Sequence, residues 1–147
     1  MNIPTTYIEW VDAITYIRDH PKNDMYIDNL NQGNLDCDDI LLLRLKNIVT
    51  ECVNIRLNKE LKSLIAYFNG PVEYNSFSLE ILSLKKEFAY CRKLVSIKIF
   101  PYEIQEELNK SIDEDANRIQ GILEEQTLRA DKSGVINSII RNNPINR

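Results

Sequence analysis

The sequence predicts an all-α protein, and three observations carry that expectation. Between Gly70-Pro71 and Pro101, the residues Phe77, Ile81, Leu84, Phe88, Cys91, Val95 and Ile99 recur at spacings of four, three, four, three, four and four. At about 100° per residue they gather in a stripe about 80° wide, as in a helix with one face to bury. Glycine (4) and proline (5) are scarce, and most of them separate such patterns, as in helices joined by few turns. The one period-two stretch, Val95–Phe100, has no second strand to pair with and is read as the end of the helix. The expected architecture is a bundle-like packing of four main helices, at about 6–19, 37–69, 76–99 and 101–128, plus a short C-terminal helix, all in one domain over 1–147.

The first helix is placed from Thr6 to Asp19. Thr6 and Glu9 have capping-box spacing, Tyr7, Trp10, Val11, Ile14 and Ile17 form its apolar face, and Pro21 follows its end. Residues 20–36 are rich in Asn, Asp and Gly and read as a loop with a short turn around Met25-Tyr26-Ile27. Asp36 or Asp38 would cap the second helix with negative charge at its positive end, and Gly70-Pro71 would close it. Within it Leu41, Leu45, Ile48, Cys52 and Ile55 share one face, whereas Leu57, Leu61, Leu64 and Phe68 share another about 160° away, with Val49 and Val53 between. A straight helix of this length would span about 50 Å, wider than a domain of this size, so either it breaks near 54–58 or its two halves pack against different neighbours, and a break or bend is the reading favoured. Leu41-Leu42-Leu43 makes one turn apolar nearly all round and is assigned to the centre of the core.

The third helix is the opening stripe. Pro101 suits the first turn of the fourth, whose core face is Ile104, Leu108, Ile112, Ala116, Ile119, Ile122 and Leu123. After Asp131-Lys132-Ser133-Gly134, the pairs Val135-Ile136 and Ile139-Ile140 suggest the short fifth helix.

With 147 residues the chain can bury about 68–70% of its unfolded surface and needs neither disulfide nor metal to fold. No run of about 18 apolar residues occurs, and Met1-Asn2-Ile3-Pro4 resembles no signal peptide. Three cysteines, Cys37, Cys52 and Cys91, are an odd number at irregular spacing, two of them on apolar stripes. A cytoplasmic location follows as the expectation. Heavy use of Ile and Asn suggests an AT-rich bacterial or phage genome.

Charge is segregated. Residues 1–43 carry eight acids against two bases, residues 44–99 ten bases against five acids, and residues 100–126 eight acids against two bases. On the fourth helix Glu103, Glu106, Glu107, Asp113, Glu114, Glu124 and Glu125 lie opposite the apolar stripe, interrupted chiefly by Lys110 and Arg118. Clustered charge of one sign steers association with a partner of the other sign, although helix surfaces are also charged merely to be solvated. On the third helix Lys85, Lys86, Arg92 and Lys93 occupy one flank that could meet nucleic acid, against which stand Glu80 and Glu87 on the same helix. Asp115 falls inside the apolar stripe, where Arg118 or Ser111 could satisfy it at an edge.

Most site chemistry is missing. His20 is the only histidine, which removes His-based zinc sites and the Glu-x-x-His pairs of di-iron bundles. There is no Cys-x-x-Cys, no Walker loop and no dinucleotide fingerprint. Asp36, Asp38 and Asp39 lack the glycine and distal glutamate of a calcium loop. A helix-turn-helix would have to use Leu123–Arg141, whose first helix is acidic. A magnesium-dependent all-α nucleotide pyrophosphatase would need carboxylates such as Glu103, Glu106, Glu107 and Asp115 to converge, yet phase turns the three glutamates outward and no second acidic pair is present.

The expectation is therefore a non-enzymatic protein, without cofactor or metal, that binds and neutralises a basic protein partner as immunity, antitoxin and anti-defence proteins do. The acidic fourth helix and the acidic segment 24–39 would meet the partner, with Tyr26 and Tyr102 as aromatic anchors. A nucleic-acid-binding regulator and the pyrophosphatase are the alternatives. A homodimer is left open, and no membrane contact is expected.

Overall fold

A computed structural model describes residues 3–20, 24–68, 74–130 and 141–142, with 24–25, 74–75 and 126–130 described by backbone alone. Among the described residues there is no strand. Five helices follow one another: α1 (Tyr7–Asp19), α2 (Asp24–Leu30), α3 (Asp39–Tyr67), α4 (Tyr74–Val95) and α5 (Tyr102–Ala130). The fold is the all-α bundle that the apolar stripes require. The expected C-terminal helix at Val135–Ile140 lies outside the described residues.

By its contacts the chain divides into two compact units, one of Met1–Arg56 with Tyr90–Lys110 and one of Leu57–Ala89 with Ser111–Arg147. The first buries Trp10, Ala13, Ile14 and Ile17 of α1, Ile27 and Leu30 of α2, Leu45, Val49, Cys52 and Val53 of α3, and Tyr90, Cys91, Leu94 and Val95 of α4. The second buries Leu57, Leu61 and Leu64 of α3, Phe77, Ile81, Leu84 and Phe88 of α4, and Ile112, Ala116, Ile119 and Leu123 of α5.

Helix α1 begins as its sequence dictates. The Glu9 amide donates to Thr6 Oγ1 at 3.3 Å and the Thr6 amide donates to Glu9 Oε1 at 3.2 Å, a closed capping box. Trp10 is fully buried and its indole N–H donates to the Asn34 carbonyl at 2.9 Å. The chain passes so close here that a β-carbon on Gly33 would lie 2.6 Å from the Pro4 carbonyl oxygen and 2.9 Å from the Trp10 ring.

Four expectations need correction. The segment read as a loop with one turn is the seven-residue helix α2, because Ile27 and Leu30 are both fully buried and tertiary burial outweighs the poor helix propensity of their Asp and Asn neighbours. No break interrupts the next helix: α3 runs unbroken for 29 residues, about 43 Å, its end capped by Asp38 Oδ1, which accepts from the Leu41 amide at 2.9 Å. Its buried seam rotates instead. Leu45, Val49, Cys52 and Val53 serve the first unit and Leu57, Leu61 and Leu64 the second, while Ile55 is exposed.

Leu41–Leu43 is not central to the core. Leu41 and Leu42 are half-buried, Leu43 is 50% exposed and Ile40 65%, since the first turn of α3 lies at the periphery of its unit. Finally, α4 ends at Val95, four residues short of Ile99. Ile97 and Phe100 are buried and Ile99 is not, because Pro101 disfavours helical backbone at Phe100 and forces a turn before it. That turn is fastened by the Lys98 amide donating to Asn31 Oδ1 at 3.0 Å and by Gln105 Nε2 donating to the Ile97 and Phe100 carbonyls at 3.1 Å each. Pro101 accordingly precedes α5 and accepts from the Ile104 and Gln105 amides.

Candidate functional site: the outward side of α5

Helix α5 owes its orientation to Leu108, Ile112, Ala116, Ile119 and Leu123, which are buried and fall within about 80° of one another. Ile104 and Ile122 lie half-buried at the margins. Burying that face turns Glu103, Glu106, Glu107, Glu114, Glu124 and Glu125 outward, and all six are exposed. Asp113 is half-buried. Glu103 in the first turn also suits the positive end of the helix.

The acids differ in how far they are already engaged. Glu107 accepts from Lys46 Nζ at 2.7 Å, and this lysine is only 17% exposed. Glu124 accepts from Gln120 at 3.3 Å, and Asp113 and Glu125 have interactions of their own. Glu103, Glu106 and Glu114 have no hydrogen-bond or ion-pair partner among the described residues. Tyr102, first in the helix, is 72% exposed beside Glu103. Tyr26 is half-buried and stacks on Tyr16 at 5.0 Å. The acidic segment 24–39 is partly spent on structure, since Asp28 pairs with Lys93 at 3.2 Å and Asp38 caps α3.

The basic residues of α4 do not form one free flank. Lys93 is held by Asp28, Arg92 is half-buried and engaged, Lys85 is half-buried, and Lys86 alone of the four is exposed without a partner among the described residues. Asp115 sits at the edge of the apolar stripe, 24% exposed, and accepts from Arg118 Nη2 at 3.4 Å. Among the described residues no three His, Cys, Asp or Glu side chains are grouped so as to hold a metal ion. His20 is exposed, with Nδ1 2.9 Å from the Tyr16 carbonyl, which fixes that nitrogen as the donor. No described helix is long and apolar enough to cross a membrane.

The burial of two charged residues escaped the sequence analysis. Glu87, counted only as an acid set against the basic flank of its helix, is 1% exposed. Arg56 is 9% exposed, donates to the Ile17 carbonyl at 2.8 Å, and lies 4.5 Å from the centre of the Tyr90 ring. Helical phase held the signal in both cases, because Arg56 follows Cys52, Val49 and Leu45 at i+4, i+7 and i+11 spacing and Glu87 stands between Leu84 and Cys91. No family model, no characterised protein and no solved structure matches this chain.

Proposed function

We propose that this chain is a non-catalytic binding protein that neutralises a basic protein partner through the outward side of α5. The observation that carries the proposal is the exposure of Glu103 and Glu106, which form no ion pair among the described residues, in a first half of α5 whose one base is Lys110. Net negative charge on a helix surface attracts a positive surface over about a Debye length and raises the association rate. Tyr102 supplies exposed aromatic area at the head of the helix, of the kind that anchors interfaces. Glu107 contributes less, because docking would compete with its bond to Lys46.

The test is affinity capture from the native host with the wild-type protein and a Glu103→Lys/Glu106→Lys variant as parallel baits. The wild type is expected to retain a basic protein that elutes as salt rises, and the variant to lose it with its helical content unchanged. Equal retention by both baits would refute the docking face. Retention of nucleic acid by a route that needs Lys85 and Lys86 would replace it with the regulator reading.

A further inference from the structure

Three parts of the first unit meet at a shallow hollow of about 290 Å³ lined by Pro4, Glu9, Asp12, Ala13, Tyr16 and Tyr26. Glu9, Asp12, Ala13 and Tyr16 stand at i, i+3, i+4 and i+7 on α1 and so share one face, with Tyr26 contributed by α2 and Pro4 by the segment before α1. Ligand cavities usually measure about 300–1,000 Å³, so this one suits a single side chain or small head group.

Its chemistry selects for charge and shape. Among the described residues the lining holds two carboxylates, two phenol rings and no cation. One Glu9 oxygen is committed to Thr5 and Thr6, whereas Asp12 is exposed and has no hydrogen-bond or ion-pair partner among the described residues. The aromatic wall is layered: the His20 ring lies 3.8 Å from Tyr16 at 13°, and Tyr26 lies 5.0 Å from Tyr16 at 24°. A flat cation extends such a stack and is attracted by the ring faces, while its paired N–H groups match a carboxylate. An ammonium gains only the charge attraction, and an anion is repelled by both acids.

We propose that this hollow receives the guanidinium group of an arginine side chain presented by a protein partner. The guanidinium lies against the tyrosine wall and donates to Asp12, with Glu9 adding negative potential from one turn earlier. The source of the arginine rests on the basic-partner reading above; the binding chemistry of the hollow does not.

The experiment is an NMR titration of the full chain with N-acetyl-arginine amide, N-acetyl-lysine amide and N-acetyl-citrulline amide, the last being the uncharged counterpart of arginine. Arginine is expected to produce saturable shifts at Asp12, Ala13, Tyr16 and Tyr26, lysine weaker ones and citrulline none. Asp12→Asn, which changes only an exposed carboxylate, should weaken arginine binding about tenfold. Glu103→Lys/Glu106→Lys should leave the titration unchanged. Absence of saturable shifts at these four residues, equal binding of lysine or citrulline, or an unchanged affinity in Asp12→Asn each overturns the proposal. An inert hollow together with salt-sensitive capture through α5 would remove this inference and leave the docking face standing, and a working hollow with failed capture would do the reverse.

Discussion

The same substitution at two glycines should act with opposite sign. At Gly33 an added methyl group would stand 2.6 Å from the Pro4 carbonyl oxygen, 2.9 Å from Trp10 Cζ2 and 3.2 Å from the Leu30 carbonyl oxygen. Two of these three atoms are backbone, so neither can swing aside as a flexible side chain would. Either the segment carrying Pro4 lifts or the Trp10 ring shifts, and a shifted ring weakens its bond to the Asn34 carbonyl. Overpacking costs about 1–3 kcal/mol and a weakened buried hydrogen bond about 1 kcal/mol, so Gly33→Ala should lose about 2–4 kcal/mol. In a protein of this size that lowers the melting temperature by about 5–15 °C. At Gly121 on the exposed side of α5, an added methyl meets nothing within 4 Å. Gly121→Ala should therefore stabilise by about 0.5–1 kcal/mol through helix propensity and a less flexible unfolded chain. Urea unfolding followed by far-UV circular dichroism measures both, and the fluorescence of Trp10, the only tryptophan, reports the Gly33 site directly. A Gly33→Ala variant within 0.5 kcal/mol of the wild type by about the error of such extrapolations, with unchanged emission, would refute the close-approach argument.

Further outcomes follow from other sites. Arg56→Met keeps the bulk but removes a charged hydrogen bond and a cation over an aromatic face, so the urea midpoint should fall by an amount equivalent to about 2–4 kcal/mol. The Thr6 hydroxyl, with Thr5 and the Thr6 amide adding to it against a smaller opposing effect of burial, holds the Glu9 carboxyl below its ordinary value. Its contribution to stability is then present above the unfolded-state pKa and lost as pH falls through the lower folded one, so Thr6→Ala should raise the Glu9 midpoint measured by NMR and flatten the acid limb of the stability profile. Burial, with Asp38, Asp36 and Asp39 beside it, pushes the Cys37 thiol up, whereas Cys52 and Cys91 are buried. A thiol-disulfide reagent at pH 8 should modify Cys37 alone in the folded protein, more slowly than a free thiol and faster as salt screens the aspartates.

What could be read from the sequence was the set of apolar faces, and what could not was the surroundings each face would meet. The capping box at Thr6–Glu9, the stripe from Phe77 to Val95 and the core face of α5 are local patterns, so periodicity placed them correctly. Helix α2 was missed because its helicity comes from Ile27 and Leu30 being buried by distant parts of the chain. Leu41–Leu43 misled for the converse reason: an apolar turn attracts a core assignment, but nothing in its spacing says that the unit ends there. The outward phase of the α5 glutamates was legible, whereas the engagement of Glu107 by Lys46 spans 61 positions and no local rule would pair them. The hollow beside Tyr16 was invisible for the same reason, since it joins α1 to Tyr26 and Pro4 only once the chain has folded.

The far end of α1 shows what such long-range bonding does for a helix terminus. It has no glycine to turn the chain, and His20 leaves it in extended backbone, so two of its last carbonyls find donors in the His20 ring and in Arg56, 39 positions beyond Ile17. A peptide of residues 1–20 keeps the His20 contact but lacks the Arg56 donor, so its final turn should be less helical than in the whole protein, as amide exchange would show. The tip of this rod therefore borrows part of its hold from a residue far along the chain.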